Sequence, residues 1–129
     1  MTRIIAGTLK GRILQVPPSG TRPTSERVRE AIFSRLEHMG VIEDARVLDL
    51  YAGSGALGFE AISRGAASLT LVDSSAAAIR TLKKNLPLAP EALIIGADAL
   101  SAVSNRLSGS LDLVFIDPPY DEASQDVTE

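Results

Sequence analysis

The sequence of 129 residues contains no cysteine and only one histidine, His38. Without cysteine the chain has no disulfide, no thiolate metal site and no cysteine nucleophile, which fits a reducing compartment. A single histidine provides neither a histidine metal site nor a Ser-His-Asp triad. We therefore expect no bound metal, and we interpret His38 as a solvated or capping residue near a helix end.

Long apolar runs are also missing. Hydrophobic residues make up 45% of the chain, yet no run approaches the roughly 20 residues that span a membrane. Residues 1–7 lack the apolar segment of a signal peptide. These absences predict a soluble cytoplasmic domain with enough residues to build a core.

Positive charge is concentrated at the start of the chain. Residues 1–35 carry seven basic and two acidic residues, a net charge of +5, whereas residues 36–129 carry −8. This basic N-terminal segment, called the basic head below, predicts contact with a polyanion. A surface that is simply solvated would have the same composition. Residues 3–16 predict two short strands around a glycine turn, on which Arg3, Lys10 and Arg12 would lie along a phosphate backbone.

A helix is predicted after the proline-containing connector that carries Arg22. Thr24 or Ser25 would cap it and Gly40 would end it. Residues at helical spacing form its predicted buried stripe, namely Val28, Ala31, Ile32, Leu36 and Met39. The charged residues Arg27, Arg29, Glu30 and Arg35 are predicted to lie off that stripe. We place a basic hairpin and linker in residues 1–24 and a second unit in residues 25–129.

The rest of the chain alternates apolar strands with helices. Strands are predicted at residues 47–50, 68–72, 92–95 and 111–116, and helices at 56–63, 75–86 and 99–107. Strands that are apolar on both faces and alternate with helices are typical of a parallel sheet covered on both sides. The predicted fold class is therefore α/β.

The first of these strands runs into Gly53, Gly55 and Gly58, which have a G-x-G-x-x-G spacing. Such glycines allow a tight turn against a ligand, but the spacing alone also fits a turn without one. Asp73 ends the next strand 20 residues after Gly53, where a carboxylate can accept hydrogen bonds from a ribose diol. Asp98 follows the third strand, and together these features predict a nucleotide site.

The fourth strand ends in Asp117-Pro118-Pro119-Tyr120. Two prolines stiffen the loop and leave only carbonyl groups on their backbone. A carboxylate, these carbonyls and a tyrosine ring suit a planar group that bears an amine. Acceptors placed on the amine hydrogens favour the more nucleophilic nitrogen that forms on attack.

Together these motifs carry a resemblance. Asp49-x-x-x-Gly53-x-Gly55, the strand-end acids and the Asp117–Tyr120 loop resemble class I S-adenosylmethionine-dependent methyltransferases that modify amino groups of bases. Residues 3–12 and 22–33 resemble the bacterial 16S ribosomal RNA guanine-N2 methyltransferases. The implied fold is a Rossmann-like doubly wound parallel sheet, with its first four strands present, preceded by an N-terminal hairpin and helix.

The resemblance also implies roles for individual residues. Gly53 and Gly55 would receive the methionine part of S-adenosylmethionine, Asp49 its amino group, and Asp73 its ribose hydroxyls. Asp98 would meet the adenine amine. The remaining implied cofactor contacts are Tyr51, Ser74, Ala99 and Asp117. The implied catalytic loop is Asp117, Pro118, Pro119 and Tyr120, which would hold the guanine amine of ribosomal RNA. The implied RNA contacts are Arg3, Lys10, Arg12 and Arg22.

Three other interpretations stay open at this point. An adenine-N6 or cytosine-N4 methyltransferase would use the same loop. A nicotinamide-dependent oxidoreductase would explain the glycines and Asp73, but not Asp49, the basic head or the Asp117–Tyr120 loop. The third interpretation is an RNA-binding fragment without catalytic activity, because the class I fold usually continues with three more strands. In that case we expect an exposed edge on the fourth strand, which favours pairing with a second copy.

Overall fold

The computed structural model describes residues 2–17, 25–105 and 111–118. Its elements, in chain order, are β1 (Thr2–Arg3), β2 (Ile13–Leu14), α1 (Glu26–Met39), β3 (Arg46–Asp49), α2 (Ala56–Ser63), β4 (Ser68–Asp73), α3 (Ala76–Asn85), a short 3-10 helix (Leu86–Leu88), β5 (Leu93–Gly96), α4 (Ala99–Asn105) and β6 (Leu113–Phe115). The predicted alternation of strands and helices is confirmed, and most element boundaries differ from the predicted ones by only one or two residues.

Strands β3 to β6 form one parallel sheet in the order β5-β4-β3-β6. Asp49 is in register with Leu71 on β4 and with Phe115 on β6, so these strands end at nearly the same level. β1 and β2 pair antiparallel as a separate hairpin, which confirms the predicted N-terminal strands. All four parallel strands therefore present their carboxyl ends at one edge of the sheet.

The two faces of the sheet pack into separate apolar clusters. Val47 and Leu71 face a large cluster that includes residues of α1, α2, α3 and the hairpin. Leu48, Val72 and Ile95 face a smaller one with Ala102 of α4. Adjacent strand residues point to opposite faces, so a strand buried on both sides must be apolar at successive positions. The fold is thus α/β, with a Rossmann-like parallel sheet covered on both faces.

The predicted buried stripe of α1 is wrong in part. Arg29 and Phe33 are its buried residues, whereas Val28 and Met39 are 47% and 60% exposed. Apolar spacing did not identify the packed face because this face contains an arginine whose charge is compensated by Glu60 inside the protein. Phe33 packs against Phe115 with 5.5 Å between the ring centroids.

The ends of α1 follow the prediction. Ser25 Oγ accepts a hydrogen bond from the Val28 amide at 3.1 Å. Gly40 ends the helix in the left-handed conformation, with a φ of 73°. Glycine adopts this conformation without the steric cost that other residues incur.

Glu60 on α2 holds the hairpin against the sheet domain. It is fully buried, and its two carboxylate oxygens accept hydrogen bonds from the amides of Ile5 and Ala6 at 2.9 and 3.1 Å. Arg29 and Arg64 donate to the same carboxylate at 3.2 and 2.9 Å. A buried carboxylate requires such compensation, because an unpaired charge in the interior is strongly destabilising.

Every helix within residues 2–17, 25–105 and 111–118 is too short or too polar to cross a membrane.

Candidate cofactor and active site

Four carboxylates lie at the carboxyl edge of the sheet. Asp49 and Asp73 are the last residues of β3 and β4, and Asp98 and Asp117 follow the ends of β5 and β6. In open parallel α/β sheets, ligands bind in the crevice outside this edge. The topology therefore brings together the four acids that the sequence separates by up to 68 positions.

The turn between β3 and α2 depends on two glycines with positive φ. Gly53 has a φ of 57° and Gly55 a φ of 85°. A Cβ at Gly55 would lie 2.5 Å from Phe59, whereas one at Gly53 would meet nothing within 4 Å. Gly55 thus serves close packing, and Gly53 leaves open space above the turn. Such space fits the close approach of a cofactor to the backbone.

Asp73, the last residue of β4, connects this turn to that strand by a hydrogen bond. Its Oδ2 accepts from the Gly53 amide at 3.0 Å, and its Oδ1 accepts from the Ser75 amide at 2.9 Å. Each carboxylate oxygen can accept more than one hydrogen bond. The side chain is only partly buried, so Asp73 is placed to accept from a diol while it fixes the turn.

Asp49 is the most perturbed acid at this edge. It is 1% exposed, and its Oδ2 accepts from the Gly58 amide at 3.1 Å. Its Oδ1 has no hydrogen-bond partner among the described residues. Burial raises the pKa of Asp49 from 3.8 to about 7; the Gly58 amide opposes this increase, and the charges of Asp117 and Asp73 add to it. A buried acceptor without a donor fits a cationic group such as the ammonium of S-adenosylmethionine.

The other predicted cofactor contacts lie at the same edge of the sheet. Asp98 is exposed and caps α4, because its Oδ1 accepts from the Ser101 amide at 2.8 Å. Ala99 begins α4 and is partly buried, Ser74 is exposed between β4 and α3, and Tyr51 is 37% exposed in the turn after β3. All of them lie on segments that follow the carboxyl ends of β3, β4 and β5.

The predicted catalytic loop is described only in its first half. Asp117 is exposed and Pro118 partly buried after the end of β6. Asp49 is in register with Phe115 on the neighbouring strand, so Asp117 follows β6 beside the end of β3 where Asp49 lies. Pro119 and Tyr120 lie outside the described residues.

The predicted RNA contacts differ in their surroundings. Lys10 and Arg12 are exposed in the segment that joins β1 to β2. Arg3 forms an exposed ion pair with Glu26 at 2.9 Å, which compensates part of the basic charge of the head. Arg22 lies outside the described residues.

Several important residues were missed by the sequence reasoning, namely Arg29, Glu60, Ser63 and Asn85. Ser63 Oγ donates to the Ala6 carbonyl at 2.6 Å and accepts from the Leu9 amide at 2.9 Å. One signal was available for Glu60, since it is the only charged residue in helix α2, which is otherwise apolar except for Ser63. Nothing in the local sequence distinguishes Asn85 from an ordinary polar residue at a helix end.

Comparison with known proteins agrees with this architecture. The family model described as "Conserved hypothetical protein 95" matches residues 2–129. Ribosomal RNA small subunit methyltransferase D of Escherichia coli (strain K12) is 46% identical over 121 residues, 92% of this chain and 60% of that protein. The putative rRNA methyltransferase YlbH of Bacillus subtilis (strain 168) is 42% identical over 127 residues, 93% of this chain and 67% of that protein.

A solved structure, described as the putative methyltransferase yhhF from Escherichia coli, superposes with a TM-score of 0.80 at 44% identity. The match covers 93% of this chain and 65% of the other. The chain thus spans about 60% of the length of the curated Escherichia coli relative. It belongs to the family described as "Conserved hypothetical protein 95", the family of ribosomal RNA small subunit methyltransferase D.

Proposed function

We propose that this protein transfers a methyl group from S-adenosylmethionine to the exocyclic N2 amine of a guanine in small-subunit (16S) ribosomal RNA. The observation that carries the proposal is the geometry around Asp49. A buried carboxylate oxygen that has no hydrogen-bond partner among the described residues lies at the end of β3, the strand that leads into the open glycine turn, and that turn is held by a second carboxylate, Asp73. The names of two relatives support methyl transfer to ribosomal RNA, and one of these names specifies the small subunit.

In this proposal each residue of the cofactor site contacts a different part of S-adenosylmethionine. Asp49 receives the ammonium group, the Gly53–Gly55 turn receives the methionine backbone, and Asp73 receives the ribose hydroxyls. Asp98 receives the adenine amine beside the first turn of α4. Tyr51, Ser74 and Ala99 complete the cofactor contacts. When bound, S-adenosylmethionine supplies a methyl group on a cationic sulfonium.

The target base lies at the end of β6 in this proposal. Asp117 and a proline carbonyl would accept hydrogen bonds from the amine, which favours its more nucleophilic, pyramidal form. Pro118 and Pro119 keep the loop stiff, and Tyr120 stacks on the base. The residues of the site contribute mainly by positioning the reacting groups and by aiming acceptors at developing charge. The base must be unstacked to reach the site.

The basic head supplies the RNA contacts in this proposal. Residues 1–24 act as the RNA-binding unit through Arg3, Lys10, Arg12 and Arg22, and residues 25–129 act as the methyltransferase unit. Such contacts to phosphate position the RNA without reading its sequence. Ribosomal RNA as the substrate implies that the protein works in the cytoplasm.

Calorimetric titration with S-adenosylmethionine tests the cofactor site. We expect saturable binding to the unmodified chain, at least about tenfold weaker binding to Asp73→Ala because a charged acceptor is lost, and no binding of NAD. Asp112→Ala is the matched control, because Asp112 is an exposed acid that pairs with Arg46 near the opposite edge of the sheet. Binding of NAD in place of S-adenosylmethionine would overturn the proposal.

Incubation of 16S ribosomal RNA with labelled S-adenosylmethionine, followed by nucleoside analysis, tests the target. N2-methylguanosine is the expected product, and N6-methyladenosine or N4-methylcytidine would contradict the guanine assignment. Lys10→Glu and Arg12→Glu should weaken RNA binding and leave cofactor affinity unchanged, because both residues lie on the hairpin.

We also infer that the chain associates with itself through the edge of β6. Among the described residues β6 pairs with β3 alone, and Val114 and Ile116 are 41% and 66% exposed. An unpaired apolar edge favours pairing with another strand. Light scattering should then show dimers that increase with concentration, and a monomer at high concentration would contradict the inference.

A further inference from the structure

Asn85, at the end of α3, contacts two segments that lie far from it in sequence. Its Oδ1 accepts from the Gln15 amide at 2.8 Å, and its Nδ2 donates to the Gln15 carbonyl at 3.0 Å. The same Nδ2 donates to the Ser54 carbonyl at 2.9 Å. Gln15 directly follows β2 of the hairpin, and Ser54 lies between Gly53 and Gly55.

The environment of Asn85 makes these three hydrogen bonds important. Asn85 is 3% exposed and its hydrogen bond to the Ser54 carbonyl is buried, so neither the Asn85 amide nor that carbonyl can easily be paired with water instead. An amide nitrogen has two hydrogens, and both are used here, one on the hairpin and one on the glycine turn. No other amino acid of this shape offers one acceptor and two donors.

The contact to Ser54 sets the orientation of one peptide plane in the glycine turn. The Gly55 amide of that plane donates to the Ala52 carbonyl at 2.7 Å, while the Ser54 carbonyl points to Asn85. Gly55 has positive φ, and glycine is the residue with the greatest backbone freedom. The hydrogen bond from Asn85 therefore adds a contact from outside the turn that holds the Ser54–Gly55 peptide in one orientation.

We propose that Asn85 is a positioning residue that joins the hairpin to the glycine turn, so that RNA-binding and cofactor-binding segments are held in one geometry. The inference rests on the proposed function, because it requires the glycine turn to bind S-adenosylmethionine. Methyl transfer needs the amine and the methyl carbon aligned, and Asn85 is a single side chain that contacts both supporting segments.

Ser63 provides a matched control for this role. Like Asn85 it is buried, at 1% exposure, and like Asn85 it makes a donor and an acceptor bond to the hairpin backbone. Unlike Asn85 it has no hydrogen bond to the glycine turn among the described residues. Ser63→Ala thus loosens the hairpin without releasing Ser54.

Calorimetric titration with S-adenosylmethionine of the unmodified chain, Asn85→Ala and Ser63→Ala separates the two roles. We expect roughly tenfold weaker binding in Asn85→Ala, as the loss of a buried hydrogen bond predicts. Ser63→Ala should stay within about twofold of the unmodified chain, since its lost bonds lie outside the turn. Equal cofactor affinity in Asn85→Ala and Ser63→Ala would overturn the inference alone. Failure of the unmodified chain to bind would overturn the proposed function, and the inference with it.

Hydrogen exchange gives a readout that does not depend on activity. Cofactor binding should slow exchange of the Ile4 amide, which donates to the Arg12 carbonyl at 2.9 Å within the hairpin, in the unmodified chain and in Ser63→Ala, but not in Asn85→Ala. A cofactor-induced slowing that persists in Asn85→Ala would contradict the proposed connection.

Asn85→Asp keeps the shape of the side chain and tests the role if Asn85→Ala does not fold. Its carboxylate would face the carbonyls of Gln15 and Ser54 at pH 8, whereas the protonated acid can donate to one of them at pH 6. The affinity deficit relative to the unmodified chain at the same pH should therefore shrink as pH falls. A deficit that is independent of pH, or absent, would overturn the inference.

Discussion

Asp49→Asn should stabilise the free protein and weaken its binding of S-adenosylmethionine. Asp49 is buried, and its pKa is raised from 3.8 to about 7, which corresponds to a destabilisation of about 4 kcal/mol when the group is ionised. Asparagine carries no charge, but its NH2 group would replace Oδ1, which has no hydrogen-bond partner among the described residues, at a cost of about 1–3 kcal/mol. We expect a net gain of roughly 1–3 kcal/mol at pH 8.

The sign of this effect depends on pH. The folded pKa of Asp49 is raised above its unfolded value, so its destabilising effect is absent below about pH 4. The effect grows between about pH 4 and pH 7 and is constant above that range. Urea unfolding of both proteins at pH 5, 6, 7 and 8 measures the difference directly. A difference in unfolding free energy that does not increase from pH 5 to pH 7 would refute the reasoning.

Cofactor affinity should change in the opposite sense. In the unmodified chain, binding should strengthen as pH rises through about 7, because the ionised form of Asp49 pairs with an ammonium group. Asp49→Asn should bind more weakly at pH 8 and lose this part of the pH dependence. Calorimetry at pH 6 and pH 8 checks the expectation, which fails if both proteins show the same pH dependence.

Three further predictions concern stability. Glu60→Gln should destabilise the fold by about 3–5 kcal/mol, because it removes the buried carboxylate that pairs with Arg29. A decrease below about 1 kcal/mol in the free energy of unfolding in urea would contradict this. Gly55→Ala should cost more than about 1 kcal/mol, because φ is positive and the added methyl would lie 2.5 Å from Phe59; an unchanged melting temperature would contradict the packing argument. Arg46→Ala should leave the urea midpoint nearly unchanged, since its pair with Asp112 is about half-exposed on both sides, and a loss comparable with that of Glu60→Gln would contradict the ranking.

Much of the fold was predictable because local and tertiary preferences agree in the sheet domain. Strand β4 and helix α2 lie where their apolar patterns place them, and Ser25 and Gly40 bound α1 as their conformational preferences indicate. The face of α1 was not predictable. Arg29 packs inward only because Glu60, 31 residues later, lies opposite it, and periodicity along one helix contains no information about a partner on another.

The amino-acid sequence by itself determined the parallel α/β order, the glycine turn and the acids that follow each strand, because these depend on backbone preferences and on alternation along the chain. Only the tertiary structure decided how those acids differ. Asp49 is buried with a raised pKa, Asp73 is held by two amides, and Asp98 is exposed and caps α4. It also decided that Asn85 contacts both the hairpin and the glycine turn. Burial and hydrogen bonding across distant segments exist only once the chain is packed, so no local pattern encodes them.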